Sequence, residues 1–90
     1  MSTNLIGEAV ANMGSFIVNG TTQVNKECDA IVVTDDAIFS KVLIAGVDKK
    51  ADYIQDTSLT VKAGTILTPI NDLKFSGVEL VSGQVVLILG

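Results

Sequence analysis

Apolar residues fall along this chain in short runs, and turn residues punctuate them every eight to twelve positions. The longest run, Val85-Val86-Leu87-Ile88-Leu89, follows Ser82-Gly83 and contains no polar residue. A strand with one wet face alternates apolar and polar side chains, so this run reads as a strand covered on both faces. Left open, a β-prone segment with no charge and no proline invites aggregation. Upstream, Phe16-Ile17-Val18 leads into Asn19-Gly20, a strong hairpin signal, with Gln23 to Lys26 as the expected return strand. Ala30 to Thr34 forms a second run, closed by a turn at Asp35-Asp36, and Ile38-Phe39 follows. Lys41 to Val47 forms a third and ends at the polar stretch Asp48-Lys49-Lys50-Ala51-Asp52.

Leu59, Val61 and Ala63 alternate with Ser58, Thr60 and Lys62, the pattern of a half-buried strand. Ala63-Gly64 turns into Thr65 to Thr68, which Pro69 ends or edges because it has no N–H for the ladder. Asn71-Asp72 turns again, Leu73 to Phe75 precedes Val78 to Val81, and Ser82-Gly83 turns into the last run. About seven short strands at this spacing predict an all-β fold, a small antiparallel β-sandwich or barrel, over residues 14–90. The segment 1–13 stands apart. Leu5, Ile6, Ala9, Val10 and Met13 lie on one helical stripe and Gly14 sits at a C-cap position, but Gly7 and two Asn weaken the helix. Two readings stay open: a short N-terminal helix, or an extended arm that orders against a neighbour.

Ninety residues make one domain, and 48% of them are apolar, yet only four are aromatic. The core material is therefore aliphatic, and a chain this small is expected to place surplus apolar surface in an interface. Ten acids against six lysines give a net charge of −4, with no arginine. Lys49-Lys50 is flanked by Asp48 and Asp52. That balance argues against nucleic acid and against an anionic membrane as partners. Met1 to Glu8 has no basic n-region and no long apolar core, so it does not read as a signal peptide, and no run approaches the ~20 residues that span a bilayer.

Candidate chemistry is sparse. Without histidine the commonest general base and metal ligand is absent, and the glycines are scattered as single turn residues rather than as a phosphate-binding loop. Cys28, between Glu27 and Asp29, is a poor nucleophile and fits a small residue at a strand edge. Asp35-Asp36 with Asp29 or Asp56 is the sharpest cation candidate, but no calcium-loop spacing is present and a turn explains the pair. Tyr53 reads as a packed ring with a wet hydroxyl, and Phe16, Phe39 and Phe75 as core. No catalytic, cofactor-binding or metal residues are assigned, and the chain is expected to be no enzyme and to need no cofactor.

Three stretches carry a resemblance. Ile31-Val32-Val33-Thr34-Asp35-Asp36-Ala37-Ile38-Phe39-Ser40, Thr60-Val61-Lys62-Ala63-Gly64-Thr65-Ile66-Leu67-Thr68-Pro69-Ile70 and Val78-Glu79-Leu80-Val81-Ser82-Gly83-Gln84-Val85-Val86 resemble segments of the short β-rich structural proteins of tailed bacteriophages. The likeness covers roughly residues 14–90, and the aliphatic ending Val85 to Leu89 departs from the family's shorter one, which often carries an aromatic. It implies a homotrimeric virion subunit: a capsid decoration (cement) or head-fibre protein that binds the major coat protein and stabilises the particle. Such a protein is made in the bacterial host cytoplasm and resides on the capsid surface. A tail-fibre or receptor-binding tip module, with the loop from Asp48 to Asp56 as contact surface, is the alternative. A small non-enzymatic ligand-binding β-barrel is a third. On the burial reasoning, Val85, Val86, Leu87, Ile88 and Leu89 are the candidate subunit interface, and Leu5, Ile6, Val10 and Met13 the candidate lattice anchor.

Overall fold

The computed structural model describes residues 14–56 and 58–89. The anchor candidates Leu5, Ile6, Val10 and Met13, and the choice between helix and arm, lie outside the described residues. Five strands form: β1 (Ser15–Val18), β2 (Ala30–Ile44), β3 (Val47–Asp48), β4 (Ile66–Leu67) and β5 (Gly77–Ile88). They make one antiparallel sheet in the order β1-β5-β2-β3, with β4 also on β2. The small all-β antiparallel fold expected from the turn spacing is the fold observed. Its strands are fewer than the sequence pattern predicts, and β2 and β5, of 15 and 12 residues, are much longer.

The centre is the β2–β5 pair. A straight strand of β2's fifteen residues would run about 46 Å, whereas the longest axis of the molecule is 36 Å. The pair is bent, and the register shows where: it shifts between Val33 and Asp35, Asp35 and Ile38, Ile38 and Phe39, and Phe39 and Lys41. Each extra residue is a β-bulge that adds twist and turns side chains over. The set of β2 residues that joins the core is accordingly Ile31, Val33, Ala37 and Phe39, then Val42 and Ile44 after the last bulge, while Leu43 between them is buried outside that core. In β5 it switches from Val78 and Leu80 to Val85 and Leu87. All ten belong to one contiguous core with Val18, Cys28, Ile54, Val61 and Phe75.

Both Asp35-Asp36 and Ser82-Gly83, expected as turns between strands, therefore sit inside continuous strands and face each other across the bend. Gly83 has φ +93, and a Cβ there would lie 2.4 Å from the Asp36 carbonyl oxygen and 2.5 Å from Ala37 Cα. Only glycine fits. The segment after Ser58 closes over the bulge. Ala37 and Val61 exchange N–H···O bonds of 2.8 and 2.6 Å, Val33 N–H donates to Thr65 O, and Gly64 N–H to Val33 O. Leu59 and Ala63 stay exposed, and only Val61 turns inward, so the half-buried strand expected there reduces to a single bridge.

Two more pairings differ from expectation. β1 pairs with β5 rather than with Gln23 to Lys26, in the register Phe16·Leu87 and Val18·Val85, which brings Val18 into the core. Val24 instead bridges Val78. β2 and β3 form a tight hairpin whose central residues Ala45 and Gly46 both have positive φ, 53 and 77. Asparagine is the preferred first residue of such a turn, so Ala45 carries strain.

Gly83→Ala should lower the unfolding free energy by about 2–4 kcal/mol, the sum of backbone strain and overpacking, read as a lower urea midpoint at unchanged slope. Ala45→Asn should raise it by about 0.5–1 kcal/mol in the same measurement.

Candidate functional site

The polar side chains that sequence reading singles out are engaged in holding loops. Asp36 accepts the Ala63 N–H at 2.9 Å and lies 3.4 Å from Lys62 Nζ, which holds its carboxyl below the ordinary aspartate value, the amide bond contributing most. Asp35 accepts the N–H of Asp36 at 3.1 Å. Asp56 accepts both the hydroxyl and the N–H of Ser58, at 2.8 and 3.0 Å, and its carboxyl is likewise lowered. Asp48 accepts the N–H groups of Lys50 and Val42. Asp29 meets Lys74 Nζ at 2.6 Å, and that bond raises the lysine pKa. Among the described residues no three His, Cys, Asp or Glu converge as metal ligands.

Cys28 is buried, paired with Phe75 through two backbone bonds, and its thiol is pushed up to about 11, chiefly by burial. Thiolate chemistry is closed to it near neutral pH. Tyr53 packs edge-on against Phe75, with centroids 5.4 Å apart, and its hydroxyl accepts the Ile70 N–H at 3.0 Å. Phe39 and Phe75 are core as expected, whereas Phe16 lies at the sheet edge, 37% exposed, with Lys26 Nζ 5.0 Å above its ring.

An open groove of about 440 Å³ runs beneath the docked loop, lined by Tyr53, Ile54, Leu59, Val61, Lys62 and Leu67 among others. Its walls are mostly apolar surface but include the polar side chains of Gln55, Thr60 and Thr65. Small-molecule sites combine such walls with a few convergent polar groups. Here the Tyr53 hydroxyl already holds Ile70, and the Lys62 ammonium reaches across the bulge to Asp36.

The five candidate interface residues separate by strand alternation. Val85 and Leu87 are fully buried in the core of their own chain, and Ile88, on the other face, is 4% exposed. These three have no surface left for a partner, so as interface residues they are corrected. Val85 and Leu87 pack into the core of their own protomer, and in the sheet β5 is flanked by β1 and β2. Val86 and Leu89 remain half-buried.

Val86 leads to a surface that sequence reading missed. Register places Ile17 opposite Val86, Val86 opposite Val32, and Val32 opposite Ile66. Paired residues share a face, so these four β-branched side chains form a row across β1, β5, β2 and β4 on the face away from the core. Its ends are open, with Ile17 59% and Ile66 42% exposed. Val86 and Val32, at the middle of the row, are half-buried, and the open ends are the kind of exposed apolar surface that marks a contact site. No family model, curated protein or solved structure matches the chain.

The Asp36 clamp has a pH signature. A carboxyl whose folded pKa is depressed stabilises the fold above its ordinary value near 4, and the contribution is lost as pH falls through the folded value. Thermal midpoints should fall between about pH 5 and 3, and Asp36→Asn should flatten that slope relative to the parent chain.

Proposed function

We propose that this protein is a virion structural subunit, of the capsid-decoration or head-fibre type, that acts by binding copies of itself and a coat-protein lattice and has no catalytic step. The observation that carries the proposal is the row Ile17-Val86-Val32-Ile66, an aliphatic surface kept on the outside of a fully packed core. The resemblance of residues 14–90 to small phage structural proteins supplies the setting. The engagement of the Asp36, Asp48 and Asp56 carboxylates in loop closure fits a protein that recognises shape rather than transforming a substrate.

The test is a census of purified particles from the host that carries the gene, by quantitative mass spectrometry. Hundreds of copies per particle are expected of a decoration subunit. A handful would move the protein to a fibre tip, and none would end the virion reading. Leu87 is unsuited to probing assembly, because its substitution removes a core side chain and costs about 2–5 kcal/mol of folding free energy. Ile66→Lys is the better variant: the fold should persist by circular dichroism while particle occupancy drops.

A further inference from the structure

Among the described residues the sheet has outer edges at β1, β3 and β4 and along the stretch Glu79–Gln84 of β5, which carries Glu79 and the Gly83 bulge, and they are not alike. Sheet edges resist pairing with other chains when they are very short, charged or interrupted by proline. β3 is two residues long, contains Asp48 and runs into Lys49-Lys50. β4 is two residues long and is followed by Thr68-Pro69. β1 has four residues, Ser-Phe-Ile-Val, with neither charge nor proline.

Its outward groups can be identified. Leu89 N–H donates to Gly14 O, and the register Ser15·Ile88, Phe16·Leu87, Ile17·Val86 then fixes the alternation of the antiparallel ladder. Gly14, Phe16 and Val18 turn their N–H and C=O groups toward β5, while Ser15 and Ile17 turn theirs away. Lys26 sits on the Phe16 ring and makes no hydrogen bond to β1 among the described residues.

We propose that the β1 edge pairs with the β1 edge of a second copy of this chain, antiparallel about a two-fold axis at Ile17. The inference rests on the self-assembly part of the functional reading. In this register the two Ile17 residues exchange both N–H···O bonds, and each Phe16 faces Val18 of the other copy on the inner side. On the outer side the two aliphatic rows join end to end through Ile17. A strand edge is self-complementary under such an axis, and burial of side chains on one face sets its register. The row alone, four side chains, is far smaller than the roughly 20–30 residues a side of a stable interface. The dimer is therefore held by the edge, and it dissociates on dilution.

Sedimentation of the full chain over a concentration series should show monomer passing to dimer. Ile17→Pro removes one outward N–H and leaves the β1–β5 bonds in place, so it should weaken dimerisation at least tenfold with an unchanged far-ultraviolet spectrum. Should that variant misfold, amide exchange on the parent chain decides the question: Ser15 and Ile17 should be protected at high concentration and exchange freely on dilution. Protection that does not depend on concentration would mean the edge is filled within the chain, and would overturn the proposal. So would a monomer at millimolar concentration, or a dimer indifferent to Ile17→Pro. A trimer would overturn the two-fold pairing yet leave the structural-subunit reading standing. Absence from particles with dimerisation intact would do the reverse.

Discussion

Everything in this fold depends on the bend in the β2–β5 ladder. A strand reverses the facing of its side chains with every residue, so a register that is off by one exchanges core for surface. β2 must deliver Ile31 and Val33 to the core at one end and Val42 and Ile44 at the other, positions of opposite parity. β5 must do the same with Val78 and Leu80 against Val85 and Leu87. Bulges reconcile the two requirements. Each large aliphatic side chain that stays inside contributes about 1.5–3 kcal/mol, so misplacing half a strand would outweigh the cost of a bulge. The remaining elements attach to one half of the ladder or the other: β1 and β4 to the half that ends in the terminal run, β3 and the Val24 bridge to the opposite half.

The same bend explains what was legible in the sequence and what was not. Strand type and antiparallel class follow from local patterns, and β1, β4 and the Val85 run were visible as such. Asp35-Asp36 and Ser82-Gly83 carry turn chemistry, and locally they do turn the chain. Nothing in their composition distinguishes a turn that separates two strands from a bulge that bends one. The difference lies in whether a partner strand continues past, and here each of the two segments is what the other continues past. Asn19-Gly20 failed as a hairpin for a related reason: its nearest apolar partner for Phe16 and Val18 is not the next segment but one about seventy residues on. The row Ile17-Val86-Val32-Ile66 was illegible because it joins four segments whose alignment only the ladder defines.

That alignment also relocates the assembly question. An unbroken aliphatic run looked like surface in search of a partner, yet burying Val85, Leu87 and Ile88 required no second chain. Exposed apolar side chains lie elsewhere, among them Ile17 and Ile66 at the two ends of the row to which Val86 belongs. A central strand is apolar on both faces because one face builds the core and the other contributes to the stripe.

The distribution of polar chemistry carries the same meaning. Asp36 holds Ala63, Asp56 holds Ser58, Asp48 holds Val42 and Lys50, the Tyr53 hydroxyl holds Ile70, and Asp29 meets Lys74. Each is a directional group spent on closing a loop or on an ion pair between chain segments, which a small domain with long connections needs because its aliphatic core specifies burial but not direction. An active site needs such groups aimed at empty space, held there against their own tendency to bond locally. Among the described residues the carboxylates of Asp36, Asp48 and Asp56 and the Tyr53 hydroxyl bond to the protein itself, and the row Ile17-Val86-Val32-Ile66 lies on the outer face. Aliphatic rows confer adhesion without orientation, and orientation must then come from backbone geometry. In the pairing proposed above, the edge of β1 supplies that geometry.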